Sequence, residues 1–169
     1  ADGLTPSDWQ EPLWVEDPDG AGFLLLDDIK EAALDLSAHA PDVAASSYYT
    51  AYKKLFDADA SFHLLVGDAY YDVRILGIGQ DTMSDGGKAG LTFEMKGAYD
   101  EQVVPSSGAW GYNGSALQKY LEEDFYGRLG ARMRDEKSGI VGVTKRHQVN
   151  NTMTLQTAVY QHVFVPSFY

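Results

Sequence analysis

The spacing of apolar positions changes along the chain, and that change divides it. In "FLLLDDIKEAALDLSAHA", Ile29, Ala32, Ala33 and Leu36 recur at helical spacing; Asp27 stands where an N-cap belongs and Pro41 ends the run. "DVAASSYYTAYKKLFDAD" predicts a second helix, with Val43, Tyr48, Tyr52, Leu55 and Phe56 on one side. Lys53 and Lys54 lie near its end, where the helix dipole favours positive charge. Upstream, "DWQEPLWVEDPDG" reads as turn chemistry, through Pro12 and the Asp17-Pro18-Asp19-Gly20 run. From Ser61 the period falls to two: Val73, Ile75 and Gly77 alternate with Arg74, Leu76 and Ile78, and Gly67-Asp68 marks a turn between two strands. "DTMSDGGKAG" is a loop and "LTFEMK" a short strand.

The stretch "GAYDEQVVPSSGAWGYNG" follows no period, which is uncommon inside a compact domain unless the loop has a role. Ser115 then caps a helix whose Leu117, Tyr120, Leu121, Phe125 and Leu129 form one apolar face, with Glu122, Glu123 and Asp124 on the solvated side. "SGIVGVTKRHQ" and "TLQTAVYQHVFVPSFY" predict further strands. No internal repeat or low-complexity linker interrupts the pattern. The expected fold is α+β: two N-terminal helices in residues 1–61, then a mixed, mostly antiparallel sheet with one further helix in residues 62–169, all in one domain.

Composition narrows the classes. The 169 residues suit one domain with a real core. Net charge is −12, and it is uneven: residues 1–85 hold seventeen acids and four bases, whereas residues 86–169 hold eight and nine. An acidic surface repels phosphate backbones, so nucleic acid is not the expected partner. There is no cysteine, which removes disulfides, thiolate metal sites and cysteine nucleophiles. No run of eighteen apolar residues is present, so no transmembrane segment is expected, and "ADGLTPSDWQ" is not a signal peptide.

The candidate chemistry is sparse. Asp81 and Asp85, set among glycines, are a calcium candidate, because a hard cation takes several oxygen ligands; the spacing is not that of an EF-hand, and a polar turn explains it more simply. "GGKAG" lacks the phosphate-loop pattern, and "GIGQD" lacks a dinucleotide fingerprint. The four histidines, His39, His63, His147 and His162, show no metal-pairing interval, and no G-x-S-x-G is present. No catalytic residue, cofactor or resident metal is assigned. Tyrosine is in excess, at 11 residues, and gives flat apolar area with a polar tip. In the long loop, Tyr99, Trp110, Tyr112 and Asn113 combine aromatic faces with an amide beside flexible glycines, and they are the candidate ligand-binding residues.

Four segments carry a resemblance: "YDVRILGIGQD", "GGKAGLTFEMK", "GAWGYNGSALQKYLEEDFYGRL" with "SGIVGVTK" after it, and "VFVPSFY". In this order they resemble an uncharacterised bacterial domain family found in surface-exposed, secreted and phage-related proteins of Gram-positive bacteria. The likeness covers about residues 62–169. It implies that Trp110 is the family's loop tryptophan, Ser115 its helix cap, Leu117 and Leu121 its buried leucines, and Phe125-Tyr126 its helix-end aromatic pair. Gln80, Gln118 and Tyr120 depart from the family's usual His, Arg and Trp. The family continues past "LPS", which implies a C-terminal end cut short here. A looser likeness runs to the C-type-lectin-like fold. The resulting expectation is a non-enzymatic extracellular or cell-surface binding module for a glycan or protein ligand. The alternatives are a prophage or virion structural or receptor-binding protein, and a hydrolase with a site assembled from distant residues.

Overall fold

A computed structural model describes residues 4–20, 22–84, 86–96 and 120–134, together with the backbone of two strands at 144–149 and 155–161. The first regular elements are strands, not helices. β1 (Leu13–Glu16) and β2 (Phe23–Leu25) form a hairpin around the Asp17-Pro18-Asp19-Gly20 turn, paired Trp14 to Leu25 and Glu16 to Phe23. This corrects the expected order. β1 is four residues long and buries three neighbours in a row, so it shows no alternation from which a half-buried strand could be read. β2 runs without a loop into helix α1 (Leu26–His39), which absorbs it into an apparent helical run.

α1 buries Leu26, Ile29, Ala32 and Leu36, a single stripe at helical spacing. Its start differs from the expected Asp27 cap: Asp28 reaches back to accept the Leu25 N–H at 2.9 Å, and a distant carboxylate, Glu11, accepts the Leu26 N–H at 3.0 Å. After a 3₁₀ turn (Val43–Ala45), α2 (Tyr49–Asp57) buries Tyr52 and Leu55. Phe56 faces outward with Lys53 over its ring, contrary to its expected place on the buried side.

β3 (Phe62–Val66) and β4 (Ala69–Ile78) form a hairpin through Gly67-Asp68, where Gly67 takes a φ of 66°. β5 (Leu91–Met95) completes a five-stranded sheet in the order β2-β1-β3-β4-β5, antiparallel throughout. Val73, Ile75 and Gly77 are buried, as the alternation predicted, while Leu76 on the opposite side is exposed. Between β4 and β5 the connection folds back onto α1: Ser37 Oγ donates to the Lys88 carbonyl at 2.5 Å, and Gly90 lies against the Ala33 backbone.

The segment 120–134 closes the core. Tyr120–Phe125 winds as a π-helix, and Leu129 bridges antiparallel to Val66 before the short helix α3 (Ala131–Arg134). Phe125, Leu129 and Met133 join Leu13, Val15, Leu26, Ile29, Tyr52, Phe62 and Val73 in one cluster. Phe125 and Leu129 are therefore buried as expected, whereas Leu121 is only half-buried. β6 (Thr144–Val149) and β7 (Leu155–Gln161) pair antiparallel in a separate two-stranded sheet. Among the described residues no helix is long and apolar enough to cross a membrane.

Candidate functional site

The chain first turns outward at "LTPSDWQE". Pro6 at the first position presets φ for a 3₁₀ turn spanning Pro6–Trp9. Asp8 Oδ2 accepts the Thr5 backbone N–H at 2.6 Å, and the Asp8 N–H returns to the Thr5 carbonyl at 2.9 Å. Gln10 then adopts a left-handed conformation, φ 57° and ψ 44°, which only a well-braced non-glycine residue holds. The Gln10 and Glu11 N–H groups close onto the Ser7 and Pro6 carbonyls.

Both ends of this turn are fastened to the body. Pro6 is fully buried, and Glu11 is 5% exposed. One carboxylate oxygen of Glu11 takes the Leu26 N–H; the other faces Arg132 Nη1 at 3.4 Å. Arg132 also meets Asp27 at 3.2 Å. Burial pulls the Arg132 guanidinium down, and Asp27 and Glu11 outweigh it, so its net shift is upward. The Glu11 carbonyl accepts the Tyr70 hydroxyl at 2.8 Å. Burial raises the Tyr70 phenol, and a hydrogen bond from Ser7 partly offsets it. Between these anchors Trp9 is 51% exposed, and Leu4, just ahead of them, is 52% exposed.

A second arrangement runs across the sheet face away from α1 and α2. Trp14 stacks on His63 with ring centroids 4.1 Å apart, and Phe23 meets Trp14 edge-on at 5.2 Å. His63 Nδ1 lies 3.3 Å from Asp72 on the neighbouring strand. The Trp14 indole N–H is buried without a hydrogen-bond partner among the described residues. Further along, Arg74 Nε donates to Glu94 at 2.8 Å and Nη1 to Asp59 at 3.2 Å; Lys96 also reaches Asp59. Glu94 first, and Asp59 with it, hold the Arg74 charge firmly in place.

One cluster brings serine, aspartate and histidine together without making a triad. Ser46 Oγ donates to Asp35 at 2.5 Å, and His39 Nδ1 lies 2.8 Å from the Asp35 carbonyl. A triad needs the histidine against the serine, with the acid behind the histidine. Here Asp35 takes the serine directly, and Ser46 is occupied further by the Tyr48 N–H at 3.2 Å. The cluster ties the chain after α1 to the helix.

The residues singled out from sequence divide unevenly. Tyr99, Trp110, Tyr112 and Asn113 lie outside the described residues, as do Asp85 and the cap Ser115. Asp81, the other half of the calcium candidate, accepts the hydroxyl of buried Thr92 at 2.6 Å, and its carbonyl takes the Ala89 N–H at 2.8 Å. Among the described residues no three His, Asp or Glu side chains gather as a metal set. Sequence reading passed over Trp9. Its signal was present in Thr5-Pro6-Ser7-Asp8, a helix-start signature immediately before an aromatic.

The fold so described is an α+β domain built on a five-stranded antiparallel sheet. Comparison with protein-family models, curated proteins and solved structures yields no match to this chain.

Proposed function

We propose that this domain is a non-enzymatic binding module of an extracellular or cell-surface bacterial protein, contacting a glycan or protein ligand. The observation that carries the reading is Trp9, an indole half in solvent on a turn braced by hydrogen bonds and anchored on both sides. A rigid, exposed aromatic loses little freedom when it meets a partner, which is the property of a recognition anchor. The tyrosine excess and the aromatic loop 99–114 support the same reading from sequence, and a C-type-lectin-like arrangement of sheet and helices belongs to it. The ionisable groups discussed above mostly satisfy one another in pairs, at separate places on the surface.

The test is to immobilise the 169-residue chain and challenge it with a glycan array and with solubilised bacterial surface proteins. Saturable binding without chemical change in the ligand is expected. Release of cleaved product would sink the proposal in favour of a hydrolase.

A further inference from the structure

Resting on that reading, we infer that the turn at Trp9 is a carbohydrate subsite that takes the apolar face of a neutral pyranose ring. Leu4 and Trp9 occupy the two positions flanking a helix start that a hydrophobic staple joins, N′ and N4. Such a pair ordinarily shields itself. Here each residue keeps about half its surface in water, so the turn displays apolar area instead of hiding it. The display is held from beneath by buried Pro6 and Glu11, and Glu11 is itself tied to Leu26, Tyr70 and Arg132.

The size and surroundings of the patch decide the class of ligand. A stable protein interface needs roughly 800 Å² from each partner around an apolar centre. Trp9 is instead hemmed by exposed polar neighbours, Asp8 and Gln10, with Ser7 behind them. One indole with a carboxylate and a carboxamide at its margin matches a sugar ring, which presents C–H groups on a face and hydroxyls around its edge. Asp8 uses Oδ2 to brace the turn, and Oδ1 has no hydrogen-bond partner among the described residues. The charge sets the sign: residues 1–85 carry seventeen acids against four bases, and Asp8 is itself part of the rim, so uronic or sialic acids are disfavoured.

The experiment prints neutral hexose and N-acetylhexosamine oligosaccharides beside sialylated and uronic-acid ones, and probes them with the purified chain. Hits are then titrated calorimetrically against Trp9→Ala, Trp9→Phe, Gln10→Ala and Trp110→Ala. We expect neutral sugars to bind. Trp9→Ala should lose about tenfold or more in affinity, Trp9→Phe should recover part of it, and Gln10→Ala should weaken it less. Circular dichroism checks that each variant is folded; should Trp9→Ala unfold, Trp9→Phe and Gln10→Ala carry the test. Unchanged affinity in the Trp9 variants, or preference for anionic sugars, overturns the subsite. Loss with Trp110→Ala alone overturns it while leaving a binding module. Binding to surface proteins but to no printed sugar does the same. Binding to neither overturns both readings.

Discussion

A Cβ atom on Gly90 would lie 1.9 Å from the carbonyl oxygen of Ala33, so the chain just before strand β5 meets helix α1 backbone to backbone. The obstruction is main chain in the middle of a helix, and no rotamer change relieves it. Gly90→Ala should therefore cost about 3 kcal/mol or more, at or above the upper end of the range for overpacking. A urea titration checks this, and a loss below about 1 kcal/mol would mean that α1 slides freely on the sheet.

Removing Glu11 should cost more than removing its ion-pair partner. Glu11→Ala leaves the buried Leu26 N–H without its acceptor and Arg132 to Asp27, worth about 2–3 kcal/mol. Arg132 is half-exposed, so Arg132→Ala should cost about 1 kcal/mol. Glu11→Gln keeps an acceptor for Leu26 and should fall between them. Denaturant midpoints for the three variants give the order, and an inverted order would place the anchor elsewhere.

Phe125→Ala should cost about 3–5 kcal/mol, as for a large aromatic removed from a core, whereas Leu121→Ala, at a half-buried site, should cost about 1 kcal/mol. Thermal or chemical unfolding of the pair gives the order, and equal costs would put Leu121 as deep in the core as Phe125.

Tyr52 makes the domain sensitive to alkali. Burial, reinforced by the Asp28 carboxylate, raises its phenol well above the ordinary value. The folded state thus holds the proton more tightly than the unfolded chain. The stabilisation is complete below the unfolded value of about 10 and is lost as pH rises through and beyond it. Stability measured from pH 8 to 11 should decline above about pH 10, and Tyr52→Phe should flatten that decline. An unchanged slope in the variant would assign the loss to other groups.

What was legible in the sequence was local. The helical stripe Ile29-Ala32-Leu36, the Gly67-Asp68 turn and the alternation Val73-Ile75-Gly77 each write their burial in a few adjacent residues. What escaped depended on distant partners. β1 is a strand because Leu13 and Trp14 pair with Leu64 and His63, some fifty residues on, and its continuous burial hides its period. Trp9 escaped for the same reason: "TPSD" marks a helix start, but that Pro6 and Glu11 go inward and leave the indole outside depends on residues far along the chain. The aromatic loop was chosen for its lack of period, and Tyr99, Trp110, Tyr112 and Asn113 lie outside the described residues.

The pairing of Glu11 with Arg132 spans 121 positions. On the ribosome, the strands β1 to β5 emerge long before that arginine does. Until it arrives, docking α1 onto the first turn buries a carboxylate that has the Leu26 N–H but not yet its guanidinium, and that half-exposed ion pair is worth only about 1 kcal/mol. The N-terminal half can therefore close before the arginine is delivered, and the guanidinium arrives late in biosynthesis as a fastening on a turn already in place.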